Sequence, residues 1–177
     1  MISAINLLPG KLTSSYDAQE VPVGTEYIDT HTGKKYKFLK NEGSDSIAAK
    51  KCVKINDASK YAVEISDTLN GQDFAGCRVS GATDVDEDEY GWFQISGNAT
   101  LTFGDSARAT VDGEGVVLDD DTDKGNIGGA NLAVTLSSAA IELVTDAVAG
   151  IFGIAQASVN TTDADVEVNI IRNAWGS

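Results

Sequence analysis

The chain has 177 residues, 42% of them hydrophobic, with eighteen glycines, two prolines and a formal charge of −14. That length supports one body with its own buried core, and the composition excludes a disordered chain while implying many turns. So acidic a surface excludes a nucleic-acid binder, because that affinity comes from Lys and Arg displacing condensed counterions. The charge is also uneven. Residues 1–60 hold nine basic and seven acidic side chains, whereas the rest of the chain is strongly acidic. Either the basic N-terminal region meets an acidic partner, or the acidic surface serves only solubility.

Residues 1–23 show no sustained period and contain the turn signal Pro9-Gly10, so they read as an extended N-terminal arm or a loosely packed lead-in preceding a β-rich body over 24–177. Their opening lacks a basic region followed by an apolar run and a cleavage site, and no stretch of the chain is apolar for a membrane span. A soluble chain made in a cytoplasm is expected, with no membrane partner. From Gly24 two alternating runs, Thr25 to Asp29 and Lys34 to Lys40, flank a glycine-containing loop and predict a β-hairpin. Alternation puts Tyr36 and Phe38 on one face and Lys35 and Lys37 on the other.

After a polar loop over Asn41 to Ser46, the spacing predicts a turn and then a strand at Lys51 to Ile55. Further strands are expected at Tyr61 to Ile65 and Phe74 to Ser80. An acidic loop, Asp84 to Glu89, leads into Tyr90-Gly91-Trp92-Phe93-Gln94-Ile95-Ser96-Gly97, whose aromatic and β-branched content marks it as the central strand. Tyr90, Trp92, Phe93, Ile95 and Gly97 are therefore expected in the structural core. Asn98 to Phe103, Ala107 to Val111 and Gly115 to Leu118 continue the series, the last two joined by Asp112-Gly113.

Asp119 to Gly129 reads as a surface loop, Leu132 to Leu136 as a strand, and Ser137 to Val148 as a helix or, at Ile141 to Val144, a strand. Val148 to Val159 is almost continuously apolar, which suits a strand buried on both faces, with Gly150 and Gly153 at a bulge or close backbone approach. Asp165 to Ile171 alternates, as a strand with one wet face does, and a short tail carries Trp175. Short strands with turn chemistry between them predict an all-β fold, a barrel or sandwich of antiparallel strands with at most one or two short helices.

Little in the chain carries chemistry. His31 is the sole histidine and lies in a hairpin loop, so no Ser–His–Asp or Cys–His arrangement is proposed, and an enzyme is not expected. Cys52 and Cys77, expected reduced and half-buried, cannot with one histidine fill a structural zinc site. The runs Asp84 to Glu89 and Asp119 to Gly125 place carboxylates at alternate positions, but they lack the glycine and glutamate positions of an EF-hand. Solvated loops are favoured, with no cofactor and no metal. Trp92 or Trp175 serving as a sugar-stacking platform is a minor alternative.

Two pieces of the chain resemble head decoration (cement) proteins of tailed bacteriophages. Gly24-Thr25-Glu26-Tyr27-Ile28-Asp29 with Lys35-Tyr36-Lys37-Phe38-Leu39-Lys40-Asn41 is similar to a hairpin motif of that family, and Tyr90 to Gly97 to its Y-G-W-V/I-Q-x-x-G strand. Ala99-Thr100-Leu101, Gly104-Asp105-Ser106-Ala107 and Gly150 to Ala155 follow in matching order. The resemblance implies a β body on the outer capsid surface of a virion, made in the host cytoplasm. It also implies binding to the major capsid protein, self-association as a homotrimer, and no active site. Lys11, Lys34, Lys35, Lys37 and Trp175 are the candidate capsid contacts, and residues 1–23 the expected attachment element, so deletion of residues 1–20 should spare the fold. Another virion component, such as a fibre base, tail or shell subunit, is the alternative.

Overall fold

The computed structural model describes residues 9–67, 73–104, 112–118, 124–129, 151–159, 164–171 and 175. The expected elements at Ala107 to Val111, Leu132 to Leu136 and Ser137 to Val148, together with Gly150, lie outside them.

After a single helical turn, α1 (Pro9–Leu12), the described strands are β1 (Ser15–Tyr16), β2 (Glu26–Ile28), β3 (Lys35–Asn41), β4 (Cys52–Asp57) and β5 (Ala62–Ile65). They continue as β6 (Phe74–Arg78), β7 (Tyr90–Thr102), β8 (Gly115–Leu118), β9 (Ile127–Gly129), β10 (Gly153–Ala155) and β11 (Asp165–Ile170). The all-β expectation holds. β3, β7, β6, β4 and β5 pair in that order, and β5 returns to β3 through a parallel contact at Lys40↔Ala62, which closes a five-stranded barrel. Each of the five contributes to its interior: Leu39, Phe93, Ala75, Val53 with Ile55, and Val63 with Ile65. Ile47 and Val85, bridged to each other, add to this core from the loops at one end.

β7 organises the molecule, as its sequence suggests. The two strands expected around Gly97 are one 13-residue strand. Its first half pairs with β3 (Phe38↔Trp92), and its second half with β11 (Leu101↔Val166) in a sheet continued by β10, β8 and β9. The change of partner falls at Gly97, whose φ of +85° strains any other residue. The Gln94 amide spans this position, donating to the carbonyls of Ser96 (3.2 Å) and Asn98 (2.8 Å). The second sheet buries Leu101, Val116, Ile127, Phe152 and Val168 against Cys52, Phe74 and Cys77 on the outer side of β4 and β6. Gly153 is needed there, because a Cβ would lie 2.5 Å from Val168 Cγ1.

Three sequence expectations are corrected. Residues 9–23 are part of the body: Leu12, Tyr16, Val21 and Val23 cover the cluster of Tyr36, Phe38 and Trp92, and β1 pairs with the start of β7. Their apolar side chains serve an irregular wrap rather than a periodic element, so no pattern shows in the sequence. Lys124 to Gly129 is not a surface loop, since Gly125 to Gly129 is buried and Cys52 N donates to Gly125 O (2.7 Å). The buried strand expected over Val148 to Val159 is short, with β10 ending at Ala155 and Gln156 to Ser158 exposed.

Cys52 and Cys77 are free, directly opposite each other across β4 and β6, and fully rather than half buried. Burial pushes the Cys77 thiol up to about 12 and the Cys52 thiol well above its ordinary range. Thiolate is the reactive form. Native protein should therefore leave both cysteines unmodified by iodoacetamide near neutral pH, whereas denatured protein should be alkylated at both. Rapid labelling of one cysteine without unfolding would contradict this placement.

Candidate functional site

The motif residues at the start of β7 converge on a buried arginine. Arg78 is 0% exposed and faces no carboxylate within ion-pair range among the described residues. Its Nη1 donates to Trp92 O (2.9 Å) and Leu12 O (3.3 Å), its Nη2 to Ser14 O (2.9 Å), Thr83 O (3.0 Å) and Thr13 O (3.1 Å), and its Nε to Thr83 O (3.1 Å). One guanidinium thereby fastens the N-terminal wrap to β7 and to the loop before it. Gly91 makes the space, because a Cβ would lie 2.8 Å from Val85 Cγ2 and 3.2 Å from Arg78 Nη1. Desolvation lowers the guanidinium's pKa to about 10, so it stays charged near neutral pH.

The core residues expected in this strand are placed as follows. Trp92, Phe93 and Ile95 are buried, and Tyr90 and Gly97 are half-buried. Trp92 lies with Phe38 at a ring distance of 5.2 Å, and Phe38 stacks on Tyr90 at 5.9 Å. Asn41, which closes the hairpin motif, is also internal. Its amide donates to Asp45 O (2.9 Å) and Val85 O (3.0 Å) and accepts from Gly43 N (3.0 Å).

The five candidate contact residues do not form one surface. Lys11 pairs with Glu20 (3.3 Å) near the start of β7, where Tyr16 donates to Lys11 O. Lys37 is a correction: it is 5% exposed, with its ammonium 3.0 Å from Glu26 and over the rings of Trp175 (4.8 Å) and Tyr61 (5.4 Å). Alternation correctly sets it opposite Tyr36 and Phe38, but that face leads to the barrel mouth rather than to solvent. Trp175 is half-buried on its own barrel, its indole donating to Ala75 O (2.8 Å) and packing on Tyr61.

Lys34 and Lys35 remain, at the tip of the β2–β3 hairpin. The tip is held by Asp29, whose carboxylate accepts from Thr32 Oγ1 (2.6 Å) and from the His31 backbone N–H (2.9 Å). Those bonds, Thr32's above all, hold the Asp29 carboxyl below the usual range. His31 is exposed on this tip, away from any catalytic arrangement.

Among the described residues no three His, Cys, Asp or Glu side chains converge as a metal site, and no helix is long and apolar enough to cross a membrane. The run Asp119 to Asp123 lies outside them. No protein-family model matches the chain, and no curated protein matches it. The chain is similar in structure to the N base of the head fibre of bacteriophage phi29, with 11% sequence identity and a TM-score of 0.45. The match covers 78% of this chain and 94% of the other. A likeness of that size carries no argument about function.

Proposed function

We propose that the chain is a structural component of a tailed-phage virion, a head decoration protein that binds the outer capsid surface and stabilises the lattice of the major capsid protein. It acts without a cofactor and associates as a homotrimer. One observation carries this reading. The two sequence pieces that resemble the decoration family, some fifty residues apart, are adjacent barrel strands in register, Phe38↔Trp92 and Leu39↔Gly91. Gly91, Trp92, Gln94, Gly97 and Asn41 each have a structural task there, as motifs of a non-catalytic family require. The sugar-binding alternative loses its platforms, since Trp92 is 2% exposed and Trp175 is engaged by Lys37 and Tyr61.

The test is to mix the full-length chain with capsids of its phage assembled without it. Saturable co-sedimentation and a higher capsid melting temperature are expected, with a trimer in sedimentation equilibrium of the free chain. No binding at any ionic strength would overturn the reading.

A further inference from the structure

Among the described residues three large hydrophobic side chains stand in solvent: Ile28 (51% exposed), Tyr61 (37%) and Ile171 (57%). Singly such residues are ordinary. Ile28 and Ile171 share one end of the barrel, whereas Tyr61 lies at the level of Lys40, whose N–H donates to Tyr61 O (3.3 Å). Ile28 lies directly across from Lys35. Ile171 follows Ile170, the partner of Gly97, and the Cβ position of Gly97 is 3.3 Å from Lys34 Cγ.

The same end holds the two unneutralised lysines. Lys11, Lys37, Lys40, Lys50, Lys54, Lys60 and Lys124 each reach a carboxylate, and Lys51 reaches the Asn126 amide oxygen. Lys34 and Lys35 reach none among the described residues. On a chain of charge −14, free ammonium groups beside exposed aliphatic groups define one kind of partner. We propose that the barrel end formed by Ile28, Ile171, Lys34 and Lys35 docks on an acidic protein surface with an apolar centre. Under the reading above, on which this inference rests, that surface is the outer face of the capsid lattice.

Two lysines are too few to hold a polyphosphate against the chain's overall repulsion, whereas they suffice to set register and association rate on a carboxylate-bearing protein. The docked orientation also follows. β3 runs from Lys35 at this end to Lys40, which pairs with Asp88 (2.6 Å), so the Asp84 to Glu89 loop lies about 17 Å away at the opposite end. It faces outward.

The test measures equilibrium binding of the full-length chain and two double variants to capsids assembled without it, at two salt concentrations. Lys34→Glu with Lys35→Glu should weaken binding by more than about tenfold, and the wild-type affinity should fall with salt. Asp86→Asn with Glu87→Gln should bind like wild type. Both variants should melt as wild type does, because the altered groups are not buried. If wild type binds and the lysine variant binds equally well, this face is not the docking surface although the functional reading stands. If the lysine variant loses only self-association in sedimentation, the face belongs to a second copy and the inference is overturned. If wild type itself does not bind, the functional reading fails and this inference falls with it.

Discussion

Arg78→Ala is expected to remove about 3–5 kcal/mol of stability, a large share of the roughly 5–15 kcal/mol that holds a domain of this size together. The side chain supplies donors to the carbonyls of Leu12, Thr13, Ser14, Thr83 and Trp92. Removing it orphans carbonyls from three segments at once, and alanine fills none of the space. Arg78→Lys should recover only part of the loss, because an ammonium has three donors and no planar fork. No pH dependence near neutrality is expected from this group. Its folded pKa, about 10, lies below the ordinary guanidinium value, so the burial penalty is fully present at lower pH and eases only as pH rises through about 10. Urea denaturation gives the magnitude, and trypsin cleavage at Lys11 reports release of the wrap. A loss under about 1 kcal/mol would mean that water replaces the guanidinium.

Trp92→Ala should cost a similar amount, about 3–5 kcal/mol, with a fall in melting temperature of many degrees. The indole is the largest fully buried side chain among the described residues, and Leu12, Tyr16, Val21 and Val23 close over its cluster. The two losses should not add. Arg78 bonds the Trp92 carbonyl while Trp92 anchors the wrap that Arg78 fastens, so a double-mutant cycle should show coupling. An unchanged melting temperature for Trp92→Ala would contradict its place in the core. Deleting residues 1–20 should likewise destabilise the body, because it removes β1 and three of Arg78's acceptors.

The hairpin, β4 to β7 and β11 were legible because local alternation and turn residues dictate them. β11 shows the alternation directly, with Val166, Val168 and Ile170 buried and Asp165 and Glu167 exposed. Barrel closure was not legible, since the parallel contact of β3 with β5 joins Lys40 to Ala62 without any local signal. Arg78 was missed for a similar reason. It sits in the ordinary strand Phe74 to Arg78, and its acceptors are carbonyls, which residue type does not encode. Gly125 misled in the opposite sense: glycine suggested a turn in solvent, whereas its backbone is packed so closely that a Cβ would lie 2.9 Å from Ile65 Cγ1 and from Lys51 Cβ. The candidate surface was half legible. Lys34 and Lys35 were singled out by charge, but Ile28 and Ile171 join them only through pairing across the sheet.

The most direct test of the central claim is the copy number of the chain in purified particles, measured by quantitative mass spectrometry against the major capsid protein. A decoration protein should be present in fixed proportion to the capsid lattice. A handful of copies per particle would instead indicate a fibre base or tail component, and absence from particles would contradict a virion role altogether.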